Sequence, residues 1–146
     1  MIHVTVTSPA TLAALDELVT AAARCWRTAR DERAPVQQQL YALLDPLDCG
    51  MLAPVFDSLL TLCEAALGRK IAVGGAAPSG DEHLLLGLLD GSQLRHARIA
   101  CSEGMAAAFD CAIRSTRIMT ALTDGTSHQP DRPRLRLGAG RLTVAR

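Results

Sequence analysis

A chain of 146 residues, 49% apolar with 15 basic against 15 acidic side chains, has the length of one domain able to bury roughly two thirds of its unfolded surface. The apolar fraction excludes a disordered tract, and the charge balance excludes a protein drawn as a whole to nucleic acid or anionic lipid. Aromatic residues are few (Trp26, Tyr41, Phe56 and Phe109), too few for a surface that stacks single-stranded bases, so leucine and alanine must fill the core.

At the N-terminus Ile2, Val4 and Val6 alternate with His3, Thr5 and Thr7, the period-two pattern of a strand with one buried face. Ser8 then caps a helix with Pro9 at its first position, where the missing amide costs nothing. Leu12, Leu15, Leu18, Val19, Ala22 and Cys25 or Trp26 form its apolar side, and it is expected to end near Arg30. Pro35 opens a second helix, VQQQLYALL, that stops at Asp45-Pro46. The connection DPLDCG leads to a third helix with Leu52, Val55 or Phe56, Leu59, Leu62 or Cys63, and Ala66 inward and Gly68 as its C-terminal cap. Ile71-Ala72-Val73 reads as the next strand.

The loop that follows, GGAAPSGDE, has the G-four-residues-G spacing of a phosphate-binding loop at Gly75 and Gly80. The positions that should be Lys and Ser/Thr are Asp81 and Glu82, so nucleotide binding is not expected. Ser79 followed by Glu82 is a capping box, and Asp81 adds negative charge at the positive end of the helix dipole. The helix it starts carries Leu84, Leu85, Leu86, Leu88 and Leu89 and has no polar face. It must be covered on most sides, by its own chain or by a partner. Gly91 closes it.

After SQLRHAR, Ser102 caps a last helix expected to run to about Leu122. Its inward stripe is expected at Met105, Ala108, Cys111 or Ala112, Ser115, Ile118 or Met119, and Leu122, and its alanines permit close approach of another helix. Residues 124–133 read as a linker of turn formers, and residues 134–145 as a hairpin turning at Gly138-Ala139. In that register Leu135 faces Leu142 and Arg136 faces Arg141, leaving Arg134, Arg136 and Arg141 on one face as an anion or nucleic-acid candidate. The competing possibility is that these arginines fan into water or pair with helix carboxylates.

The expectation is therefore a single α+β domain over residues 1–146: four to five helices on a small sheet made from the N-terminal strand, the Ile71 strand and the hairpin. The segment from about residue 40 to residue 89, a helix ending in GRKI-x-V followed by a loop and SGDEHLLL, resembles small uncharacterised helical proteins of bacteria, a resemblance that implies no activity.

No G-x-S-x-G elbow, CxxC pair or converging set of His and carboxylates appears, so no catalytic residue, metal or cofactor is expected. Five cysteines without a pairing motif suit a reducing cytoplasm. The N-terminus lacks the pattern of a signal peptide, and no membrane span is expected. What remains is association. A non-catalytic protein, homodimeric or bound to another protein through Leu84, Leu85, Leu88, Leu89, Ala108 and Ala112, is the leading expectation. The alternatives are a nucleic-acid-associated regulator using the arginine hairpin and an enzyme with a pocket near loop 74–79.

Overall fold

A computed structural model describes residues 9–126 of the chain, and the side chains of residues 12–124. Six α-helices are present among them: α1 (Pro9–Asp31), α2 (Val36–Leu44), α3 (Ala53–Leu67), α4 (Gly80–Asp90), α5 (Arg95–Arg98) and α6 (Glu103–Thr126). Two 3-10 turns, Asp45–Leu47 and Gly50–Leu52, bend the chain from α2 into α3. Helix α3 lies at the centre, packed on α6, α2 and α1, while α4 spans from α6 to α1.

Local chemistry sets these boundaries. Helix α1 begins at Pro9, and α2 covers the nine residues expected of it. Gly68 closes α3 at φ +69°, in the left-handed region that a side chain disfavours, and its amide donates to the carbonyls of Glu64 and Ala65. Helix α6 continues through Asp124-Gly125-Thr126, where a linker was expected to start. One glycine weakens a helix by about 1 kcal/mol and does not stop it.

The core joins the large side chains of every long helix: Val19 and Trp26 of α1, Leu40 and Leu44 of α2, Phe56, Leu59 and Leu60 of α3, Leu88 of α4 and Phe109 of α6. Trp26 is fully buried, and its indole N–H donates to Asp57 at 3.0 Å, which satisfies the one polar atom the ring carries. Among the described residues one stretch, Gly50–Leu67, has the length and mean hydropathy (1.4 over 18 residues) of a membrane-crossing helix. The core takes its inner face, with Leu52, Phe56, Leu59, Leu60 and Cys63 buried. Burial also pushes the Cys63 thiol up to about 12.

The expected α+β class is overturned: the described protein is all helical and contains no strand. Residues 71–73 form no strand, because carboxylates take the amides a sheet neighbour would have bonded. Ile71 N–H donates to Glu64 at 3.1 Å, Ala72 N–H to Asp81 at 2.8 Å and Gly74 N–H to Glu82 at 3.0 Å. The expected N-terminal strand and the hairpin at 134–145 lie outside the described residues.

Candidate interaction surface

Among the described residues, hydrogen bonds and ion pairs gather at the start of α4. Ser79 Oγ accepts the Glu82 amide at 3.1 Å and the Glu82 carboxylate accepts the Ser79 amide at 2.9 Å, so both halves of the capping box are made. The same carboxylate accepts Gly74 N–H, and Arg24 of α1 grips it with Nε at 2.9 Å and Nη2 at 3.1 Å. Glu82 is almost fully buried. Arg24 holds the Glu82 carboxyl down to about 2 against the opposing effect of burial, with help from the Gly74 and Ser79 amides.

Next to it Arg69 clasps Asp81 through both terminal nitrogens, at 2.6 and 2.7 Å, and with the Ala72 amide keeps that carboxyl below its usual range. Ser79 Oγ also donates to the Ala72 carbonyl at 2.6 Å. The loop is drawn so tightly round these acids that a Cβ on Gly74 would stand 2.1 Å from the Ala77 carbonyl oxygen. The amides that a phosphate-binding loop would offer to an anion are turned onto a carboxylate of the chain itself. An open hollow of about 610 Å³ lies between this loop and α1, edged by Glu17, Arg24 and His83, and Arg24 is already committed to Glu82. Among the described residues no three His, Cys, Asp or Glu side chains gather closely enough to hold a metal ion.

A different surface is left uncovered. Helix α6 buries Phe109, Ile113, Thr116 and Thr120, a stripe turned by one residue, about 100°, from the expected one. Phe109, the largest apolar side chain on the helix, fixes this rotation. The two threonines go inside because their hydroxyls bond back to their own helix, Thr116 to the Ala112 carbonyl and Thr120 to the Thr116 carbonyl, each at 2.8 Å. Ala108, Cys111, Ser115 and Ile118 consequently face outward, with Ile118 55% exposed. Beside them Pro54, Val55, Ser58 and Leu62 of α3 complete a shallow, largely apolar groove of about 400 Å³.

The residues singled out from the sequence therefore separate. Leu84, Leu85 and Leu88 are buried in the core of their own chain, and Leu89 is half-buried, so the chain itself supplies the cover α4 requires. Ala108 is exposed and Ala112 half-buried, both at the α3–α6 groove. Arg134, Arg136 and Arg141 lie outside the described residues. The arginine partners of Glu82 and Asp81 went unread in the sequence, since Arg24 is 58 residues from Glu82 and no local pattern links them. Compared with known protein families, curated proteins and solved structures, the chain matches none.

Proposed function

We propose that this protein is a non-catalytic binding module that works as a homodimer, joined through the outward face of α6. One observation carries the reading. Ala108, Cys111, Ser115 and Ile118 follow one another at steps of three, four and three, the seam spacing of paired helices, and all four are exposed opposite the buried stripe. Helix α6 has 24 residues and is about 36 Å long, enough for an extended helix–helix contact. Small side chains at 108 and 115 allow close approach, and an identical stripe on a second copy is self-complementary about a two-fold axis. Exposed apolar faces of this kind mark association surfaces.

Sedimentation equilibrium over a concentration series tests it. The wild-type chain is expected to pass from monomer to dimer. Ser115→Arg, which places a charge on the seam but outside the core, is expected to weaken the dimer at least tenfold, about 1.4 kcal/mol, with unchanged helicity and melting temperature. A wild-type monomer throughout the series, or dimerisation unaffected by Ser115→Arg, contradicts the reading.

A further inference from the structure

Between the loop that leaves α4, the short helix α5 and the middle of α6 lies a polar hollow of about 240 Å³, with Gln93, Arg95, Asp110, Arg114 and Arg117 in its lining. Three guanidiniums therefore share it with one carboxylate. Asp110 stands one turn before Arg114 on α6, the spacing of a helix ion pair, yet its carboxylate is taken by Arg95 of α5 at 2.5 Å. Arg114 is exposed and has no ion-pair partner among the described residues. Arg117 gives Nε and Nη2 to the carbonyls of Leu89 and Leu88 at the end of α4, neutral acceptors that leave its charge without a carboxylate and its other N–H groups unclaimed.

The same wall holds an acceptor without a donor. The backbone N–H of Gln93 donates to the Gly87 carbonyl at 3.0 Å, and its side chain lies over Gly87 so closely that a Cβ there would stand 2.6 Å from its Cγ. Gln93 Oε1 is buried and has no hydrogen-bond partner, alone in this among the side-chain nitrogens and oxygens of the described residues. A buried acceptor left unpaired is unfavourable, and a ligand that donates to it removes the cost. The last torsion of a glutamine side chain is broad, so the amide turns toward the hollow while the rest of the side chain stays on Gly87.

We infer that this hollow binds the hydrogen phosphate ion, its charged oxygens held by Arg114 and Arg117 and its hydroxyl donating to Gln93 Oε1. Guanidinium forks match the oxygens of a phosphate, and an anion set between two of them replaces the repulsion of like charges with attraction. The ligand has to donate as well as accept, because the arginines offer only N–H groups and Gln93 Oε1 offers only lone pairs. Hydrogen phosphate does both through its one P–OH. Sulfate has no such hydrogen, nor do the phosphodiesters of nucleic acid, nor a phosphate monoester above its second pKa of about 6. The inference does not rest on the proposed dimer, whose seam residues are not in this lining.

Isothermal titration calorimetry of the full chain at constant ionic strength, about two pH units above that monoester pKa, tests it. Inorganic phosphate is expected to bind once per chain and at least tenfold more tightly than sulfate or methyl phosphate. Arg114→Gln, a change at an exposed side chain, is expected to weaken phosphate at least tenfold, and Gln93→Leu to erase the preference over sulfate, both with wild-type helicity. Absence of saturable phosphate binding, equal affinity for sulfate, indifference to Arg114→Gln, or a preference that survives Gln93→Leu overturns the inference. Displacement of bound phosphate by a short DNA duplex also overturns it, by assigning these arginines to a nucleic-acid backbone.

Discussion

Glu82 illustrates how one side chain can replace an element. Four donors converge on its carboxylate: the Ser79 and Gly74 amides and two nitrogens of Arg24. It caps α4, fastens the loop and ties α4 to α1 at once. Because its folded value of about 2 lies below the ~4.3 of an unfolded glutamate, the stabilisation is complete above the unfolded value and is lost as pH falls from about 4.5 toward 2. Glu82→Gln keeps the shape but removes the charge. It is expected to destabilise the fold by about 2 to 3 kcal/mol at neutral pH in chemical denaturation, and to flatten the acid limb of the stability profile. An unchanged acid limb would show that other carboxylates carry the acid sensitivity. The capping box was legible because its two residues are three apart. The Arg24 clasp was not, since only the fold brings α1 against the start of α4.

Helix α6 shows what periodicity settles at the scale of an element and what it leaves open. The sequence marks a long amphipathic helix from Ser102 onward, and the structure contains one. Two apolar stripes compete on it, one through Ala108, Ser115 and Leu122 and one through Phe109, Ile113, Thr116 and Thr120. Threonines weigh against the second in a hydropathy pattern, yet back-bonding to the helix removes most of the cost of burying them. Phe109→Ala is expected to cost about 3 to 5 kcal/mol of folding stability, while Ala108→Ser, on the outward face, changes it by less than about 0.5 kcal/mol in the same denaturation assay. Equal effects would mean that the helix is rotated from its position here. The Ile71 segment fails as a strand for a related reason. Ile71 and Val73 are β-favouring, but a strand needs a neighbour, and Glu64, Asp81 and Glu82 reach the amides first.

At the scale of the whole molecule, the order of the long helices and most of their ends were legible from caps, prolines and glycines, while the short α5, the end of α6 and the class were not. Assigning a sheet required three separated segments to meet, and the one of them within the described residues is held by side chains. The candidate surface was half legible. Alanines 108 and 112 do lie at an open groove, whereas the leucines of α4 that looked like an exposed face form its buried interior. The proposed dimer comes from simple physical accounting: a helix stripe that the described chain does not cover. The proposed dimer makes a demand on Cys111, an exposed thiol at the middle of the α6 seam. In a two-fold pair centred between positions 111 and 115, the two Cys111 residues are offset by about 6 Å along the helices, whose axes lie about 8 to 10 Å apart. Treatment with a short bismaleimide, followed by mapping of the linked peptides, is the most direct measurement. The account predicts a covalent dimer joined Cys111 to Cys111 and abolished by Cys111→Ser; a protein that stays uncross-linked, or that links through Cys25, Cys49 or Cys101 instead, contradicts it.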